Sequence, residues 1–130
     1  MSDPIADLLT SLRNGYSAGK RTVAVPYSQF KESLGQILVK EGFLTKLTVQ
    51  GKKPTEKKIL FQLKYQAKKP ALQGIKRISK PGVRLYAKAK RMPPVREGFG
   101  ITIVSTPAGL MTGKEANQKK LGGEIICQVW

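Results

Sequence analysis

Residues 101–130 read ITIVSTPAGLMTGKEANQKKLGGEIICQVW, and their order decides what the second half of the chain can be. Ile101 to Val104 is an apolar strand running into a loop of small residues, Ser105-Thr106-Pro107-Ala108-Gly109. Thr112, followed three positions later by Glu115, makes a capping box, so a helix of about two turns follows and Gly122 ends it. The stretch after Gly123 is apolar again and closes at Trp130 as a final strand. Small side chains at 105–109 leave backbone N–H groups and hydroxyls open to a ligand that comes close.

Working upstream, Ile75 to Ser79 reads as a short strand. Lys80-Pro81-Gly82 then puts Pro and Gly at the central positions of a type II turn. Val83 to Lys88 returns as a strand with Val83, Leu85 and Ala87 on one face and Arg84, Tyr86 and Lys88 on the other. Residues 89–100 form a Pro- and Gly-rich connection. The second half is therefore β-β-β-α-β.

The first half starts with Asp3 as N-cap and Pro4 at the first helical position. Ile5, Leu8, Leu9, Leu12 and Tyr16 then follow helical spacing along one buried face, and Gly19 ends the helix. A strand, Thr22 to Val25, stops at Pro26; Ser28 caps a second helix with Phe30, Leu34, Ile37 and Leu38 inward, closed by Gly42. Two alternating segments follow around a hairpin loop at 51–55, one with Phe43, Thr45, Leu47 and Val49 on a face, the other with Ile59, Phe61, Leu63 and Tyr65. The expected fold class is α/β of the α+β type in two small lobes: an α-β-α-β-β lobe over 1–65, a basic linker over 66–74, and a mostly-β lobe over 75–130.

Charge narrows the partner. The chain holds 24 Lys and Arg against 8 Asp and Glu, a net charge of +16. Between Glu56 and Glu97 no acid occurs. A solvated face usually mixes signs, whereas charge of one sign on this scale repels itself until a polyanion binds and releases counterions. Nucleic acid is the favoured ligand.

Other classes fall away. With no histidine and one cysteine, there is no imidazole base and no usual zinc set. Neither a phosphate-loop nor a dinucleotide-loop pattern is present, so no catalytic role, metal, cofactor or small-molecule substrate is expected. The apolar runs are too short to cross a bilayer, MSDPIADLLT lacks the basic start of a secretory signal, and no membrane partner is expected. Cys127 reads as a small buried hydrophobe in a reducing compartment.

Several segments in fixed order then point to one family. DPIADLLTSLRN (3–14), IKRISKPGVRLY (75–86), GFGITIVST (98–106), GLMT (109–112) and LGGEIICQVW (121–130) resemble the bacterial-type small-subunit ribosomal protein S8 family along essentially the full length. The resemblance implies a two-lobe protein that binds the central domain of small-subunit rRNA early in assembly, on a cytoplasmic or organellar ribosome beside neighbouring ribosomal proteins. Some members also bind their own mRNA. It makes the C-terminal lobe the main binding surface, with the signature loop at Ser105, Thr106, Pro107, Ala108 and Gly109, and the N-terminal lobe adding other contacts. The family usually has serine at 107 and often a basic residue at 108; Pro107 and Ala108 depart from that, and proline removes a hydroxyl and an N–H.

The remaining candidates follow from chemistry. A-form RNA exposes its minor groove, its 2′-hydroxyls and the displaced bases of irregular loops, which suits Ser and Thr hydroxyls. Gly122 and Gly123 would permit close backbone approach, and Glu124 would accept from a base amino or imino group; paired with a lysine it would be an ordinary surface carboxylate. Tyr86 between Arg84 and Lys88 would stack on a base or ribose, although an isolated tyrosine in a strand is more often core. Lys80 in its turn, and Lys31 with Arg13 in the first lobe, would meet phosphates. The competing readings are a general cationic nucleic-acid or membrane-surface binder without sequence preference and, more remotely, an RNA-acting enzyme using a lysine or serine.

Overall fold

A computed structural model describes residues 3–91, 93 and 100–130. The chain divides into two compact units, Met1–Leu72 and Gln73–Trp130.

In the first unit, α1 (Pro4–Ser17) begins as its sequence predicts: the Asp3 side chain accepts from Ala6 N at 3.2 Å and proline occupies the first turn. Leu8, Leu9, Leu12 and Tyr16 are buried, whereas Ile5 is half-buried. After β1 (Thr22–Pro26), Ser28 caps α2 (Gln29–Lys40) through its oxygen and Lys31 N at 3.1 Å. Leu34 and Leu38 are buried; Phe30 and Ile37, expected inward, are half-buried at the edges of that stripe. β2 (Leu44–Gln50) and β3 (Lys58–Leu63) complete an antiparallel sheet in the order β1-β3-β2.

The alternation expected of β2 is corrected by a bulge. The pairing with β3 shifts between Leu44 and Lys46, so the extra residue turns the strand over. Leu44 is buried and Thr45 exposed, after which Leu47 and Val49 face inward as read. β3 keeps strict alternation, with Ile59, Phe61 and Leu63 buried. Tyr65 leaves that series, because β4 (Tyr65–Gln66) and β5 (Lys69–Pro70) form a small ribbon of their own within the segment read as a linker. Its turn residues Ala67 and Lys68 both have positive φ, 51° and 66°. The Tyr16 hydroxyl ties the unit together by donating to the Phe43 carbonyl and accepting from Lys64 N at 3.1 Å.

The second unit is one five-stranded antiparallel sheet. It contains β6 (Ile75–Arg77), β7 (Tyr86–Ala87), β8 (Ile101–Thr106), β9 (Gly109–Thr112) and β10 (Gly123–Val129). β10 is central: β8 pairs along one side with β9 beyond it, while β6 and β7 share the other side. The apolar character of 101–104 and 125–129 follows from that position, since Ile103, Val104, Ile125, Ile126, Cys127 and Val129 are all buried.

Three sequence expectations change here. GLMT is a strand, β9, because the turn at 106–109 folds it back on β8. The strand expected over 83–88 shrinks to β7, because the Ser79 hydroxyl accepts from Leu85 N at 2.9 Å and donates to Leu85 O at 3.3 Å, taking groups a ladder would use. The helix capped by Thr112, α3 (Gly113–Gln118), ends at Lys119 with Lys120 in the left-handed region at φ 57°, ahead of Gly122. The N-cap half of the expected capping box is present, with Glu115 N donating to Thr112 Oγ1 at 3.1 Å, and Glu115 Oε1 accepts from the Thr112 hydroxyl at 3.3 Å. Of the 89–100 connection, Ala89–Arg91 forms a 3-10 turn, Thr102 Oγ1 donates to Pro93 O at 3.0 Å, and residues 92 and 94–99 lie outside the described residues.

Cys127 gives this unit an alkaline weakness. Burial pushes its thiol up to about 12 from an ordinary 9.0, with nearby Arg77 pulling slightly the other way. The unfolded chain therefore loses its thiol proton first, so stability is full below pH 9 and is lost as pH climbs from 9 towards 12. Unfolding free energy, followed by the fluorescence of the single tryptophan, should fall between about pH 7.5 and about pH 10 by about 1 kcal/mol more in the parent than in Cys127→Ala. Equal pH dependence in both proteins would remove Cys127 as the cause.

Candidate nucleic-acid interface

The sheet register assembles the site. Glu124, near the start of β10, lies opposite Tyr86 on β7 and opposite Ser105 on β8, and Ser105 lies opposite Leu110 on β9. Directly opposed residues of neighbouring strands point the same way, so Tyr86, Glu124, Ser105 and Leu110 form one row across four strands. One position along, Val104, Met111 and Ile125 point into the core. The buried row thus fixes the orientation of the accessible one.

Tyr86 is 70% exposed, so it is not the core tyrosine its sequence context favours. Beside it, Arg84 Nη1 sits 3.3 Å from both carboxylate oxygens of Glu124, with side-chain exposures of 60% and 15%. An ion pair this open on the arginine side stabilises by at most about 1 kcal/mol. Its clearer effect is to hold the carboxylate in place, and the partner is arginine where the sequence reading named lysine.

Lys80 and Lys88 are exposed at either end of the 80–88 segment. Lys80 opens the expected turn: Val83 N donates to Lys80 O at 2.9 Å, Lys80 N to Val83 O at 3.0 Å, and Gly82 supplies the positive φ of 84°. Ser79, 1% exposed, closes the base of this loop through its two bonds to Leu85. Sequence reasoning missed Ser79, since one serine before a Lys-Pro-Gly turn carries no pattern of its own.

The signature loop is a hairpin tip joining β8 to β9. Ser105 is half-buried in the row. Thr106 is 8% exposed, and its hydroxyl accepts from Ala108 N at 3.1 Å while donating to Gly109 O at 2.8 Å. That hydroxyl organises the turn, unlike the open contact the sequence reading assumed. Pro107 and Ala108 occupy the exposed tip, and the fixed φ of proline suits the first central turn position.

The two glycines also change role. A Cβ at Gly122 would lie 2.8 Å from the Ala87 carbonyl oxygen, and one at Gly123 would overlap the Ser105 carbonyl oxygen. The backbone that approaches them is the protein's own, on β7 and β8. Lys31, in the first unit, is 6% exposed with Nζ donating to Pro26 O at 3.2 Å, beside a cleft lined by Asp7, Thr10 and Ser11. It is a tethered cation, unlike the exposed one assumed from sequence.

The arrangement offers an aromatic face, a hydroxyl, a carboxylate held by Arg84 and exposed cations. Among the described residues no cluster of His, Cys, Asp or Glu is positioned to hold a metal, and no helix is long and apolar enough to cross a membrane.

Comparison with known proteins agrees along the whole length. The family model of ribosomal protein S8 matches residues 3–130. A small ribosomal subunit protein uS8 from Wigglesworthia glossinidia brevipalpis is 49% identical over 130 residues, covering 99% of this chain and 98% of its own. The proteins of the same name from Roseiflexus castenholzii and Mycoplasmopsis synoviae are 47% and 43% identical, each covering 100% of this chain and 98% of their own. These are ribosomal proteins and not enzymes. With its fold, its row of polar and aromatic groups and this full-length likeness in agreement, the chain belongs to the ribosomal protein S8 family.

Proposed function

We propose that this chain is a structural constituent of the small ribosomal subunit that binds the central domain of the subunit's RNA directly and supports its assembly, on a bacterial-type ribosome in the cytoplasm. Family membership supports the subunit. The observation that carries RNA recognition is the cross-strand row, in which exposed Tyr86 stands beside a fixed Glu124 and Ser105.

Each member of the row matches something an irregular RNA stem exposes. Tyr86 offers a stacking face to an unpaired base. Ser105 both donates and accepts, as a 2′-hydroxyl or base edge requires, and Glu124 accepts from a base amino or imino group. Lys80, Arg84 and Lys88 flank these groups with charge for phosphates, which position the RNA without reading it. Thr106 and Pro107 act one step back by fixing the tip, and Gly122 with Gly123 lets the strands close beneath it. A messenger stem of the same shape would compete for this surface, and neighbouring subunit proteins would complete the assembly.

The test is binding of a central-domain stem against a scrambled RNA of equal length at about 150 mM salt. The stem is expected to bind about tenfold or more tightly. Equal affinities would mean that charge alone governs binding, which is the behaviour of a general cationic binder, and would overturn the proposal.

A further inference from the structure

Beside the row lies a cleft that the family resemblance did not single out. It has a volume of about 840 Å³ and runs between the 86–91 segment and the end of α3, lined by Tyr86, Lys88, Lys90, Arg91, Asn117 and Lys120. We propose that this cleft takes one unstacked nucleotide, with Tyr86 under the base, Asn117 at the base edge, and Lys88, Lys90, Arg91 and Lys120 around the phosphate. The inference deepens the RNA-binding reading and rests on it.

Size comes first: the volume falls in the range of small-ligand sites, and is too small for a duplex. Charge comes second. Four cations and no acid line the cleft, so the empty site repels itself and a phosphate relieves that repulsion. A face that served only solubility would interleave carboxylates. Third is the chemistry of the other two side chains. Tyr86 is 70% exposed and its hydroxyl makes no hydrogen bond to a described residue, so its ring is available as a platform. The Asn117 amide is exposed and likewise has no side-chain partner among the described residues, leaving donors and an acceptor for a base edge. An acidic peptide would satisfy the cations but would waste both of these groups.

The backbone holds the parts in place. Arg91 N donates to Lys88 O at 2.9 Å, closing the 3-10 turn that carries Lys90 and Arg91. Lys120 N donates to Asn117 O at 3.1 Å, joining the two residues of the opposite wall. The nucleotide belongs either to the RNA chain that crosses the row or to the free pool; the chemistry is the same, and competition separates them.

The full-length chain, isotope-labelled for NMR, would be titrated with adenosine monophosphate, inorganic phosphate, a hexaglutamate peptide and the central-domain stem. Adenosine monophosphate is expected to move the Asn117 side-chain amide and Tyr86 ring signals, which phosphate and hexaglutamate leave in place. If the stem displaces the mononucleotide, the RNA supplies the nucleotide; if both bind together, the free pool supplies it.

Two variants extend the test. Lys120→Gly removes a cation at a positive-φ position that glycine tolerates, so the fold is kept. It should weaken stem binding about threefold to tenfold and lower the salt slope by about 1. Asn117→Ala should leave the slope unchanged and narrow the preference for the stem over scrambled RNA. Equal responses to adenosine monophosphate and hexaglutamate would overturn the inference. So would wild-type stem binding by both variants, which would leave the wider RNA-binding reading intact. Loss of stem preference in the parent protein, with mononucleotide binding retained, would instead sink that wider reading and keep the cleft.

Discussion

Gly123→Ala is expected to destabilise the second unit by about 3 kcal/mol and to abolish selective RNA binding, although the residue carries no functional group. The new Cβ overlaps the Ser105 carbonyl oxygen and also crowds Val104 Cγ1 at 3.1 Å. A backbone atom cannot swing aside as a side-chain tip can, so β10 and β8 must separate where Glu124 faces Ser105. The distortion therefore falls on the row itself. Gly122→Ala should be milder, since its Cβ would sit 2.8 Å from the Ala87 carbonyl oxygen. Urea unfolding followed by Trp130 fluorescence reports the stability, because Trp130 exchanges backbone hydrogen bonds with Gly74 inside the same unit. Stem binding at a temperature where the variant is still folded reports the site. Parental stability in Gly123→Ala would mean that the two strands are not in close contact there.

The sequence was most legible where one residue type has one local consequence. Asp3, Ser28 and Thr112 each cap the helix that their spacing announces, because the cap bond forms within three residues and needs nothing from the rest of the fold. The Lys80–Val83 turn was equally readable from Pro81 and Gly82. Legibility failed where a distant strand decides the outcome. The bulge after Leu44 exists in the pairing with β3, and strict alternation cannot anticipate it. β9 went unread between the 105–109 loop and the Thr112 cap, yet the turn at Pro107 and Ala108 is what folds it back to pair with β8.

The same division runs through the site. Composition gave the charge, and the ordered segments gave the candidate residues. Register alone placed Tyr86, Glu124 and Ser105 side by side, across the 37 residues of chain between Tyr86 and Glu124 that no local pattern spans. Thr106 shows what a residue list omits. Its hydroxyl has the chemistry of an RNA contact, but two bonds within the turn already engage it. Gly122 and Gly123 were read as room for a ligand because absent side chains look alike from sequence, whatever fills the space.

Tyr86→Ala is the substitution in which recognition and stability should part company. The side chain is 70% exposed and its hydroxyl has no partner among the described residues, so removing it should change unfolding free energy by less than about 0.5 kcal/mol. Loss of a stacking platform should cost about 2 kcal/mol of binding, or about thirtyfold in affinity for the central-domain stem. Because tyrosine carries no charge, the dependence of affinity on salt should be unaltered, whereas Lys88→Ala should lower that slope by about 1. Tyr86→Phe should keep most of the affinity, since the ring supplies the contact and the hydroxyl only its edge. These outcomes separate the row from its surroundings. A purely electrostatic surface would ignore Tyr86→Ala and respond to each lost lysine alike, so full stem affinity in Tyr86→Ala would remove the aromatic centre from the interface and leave only its basic rim.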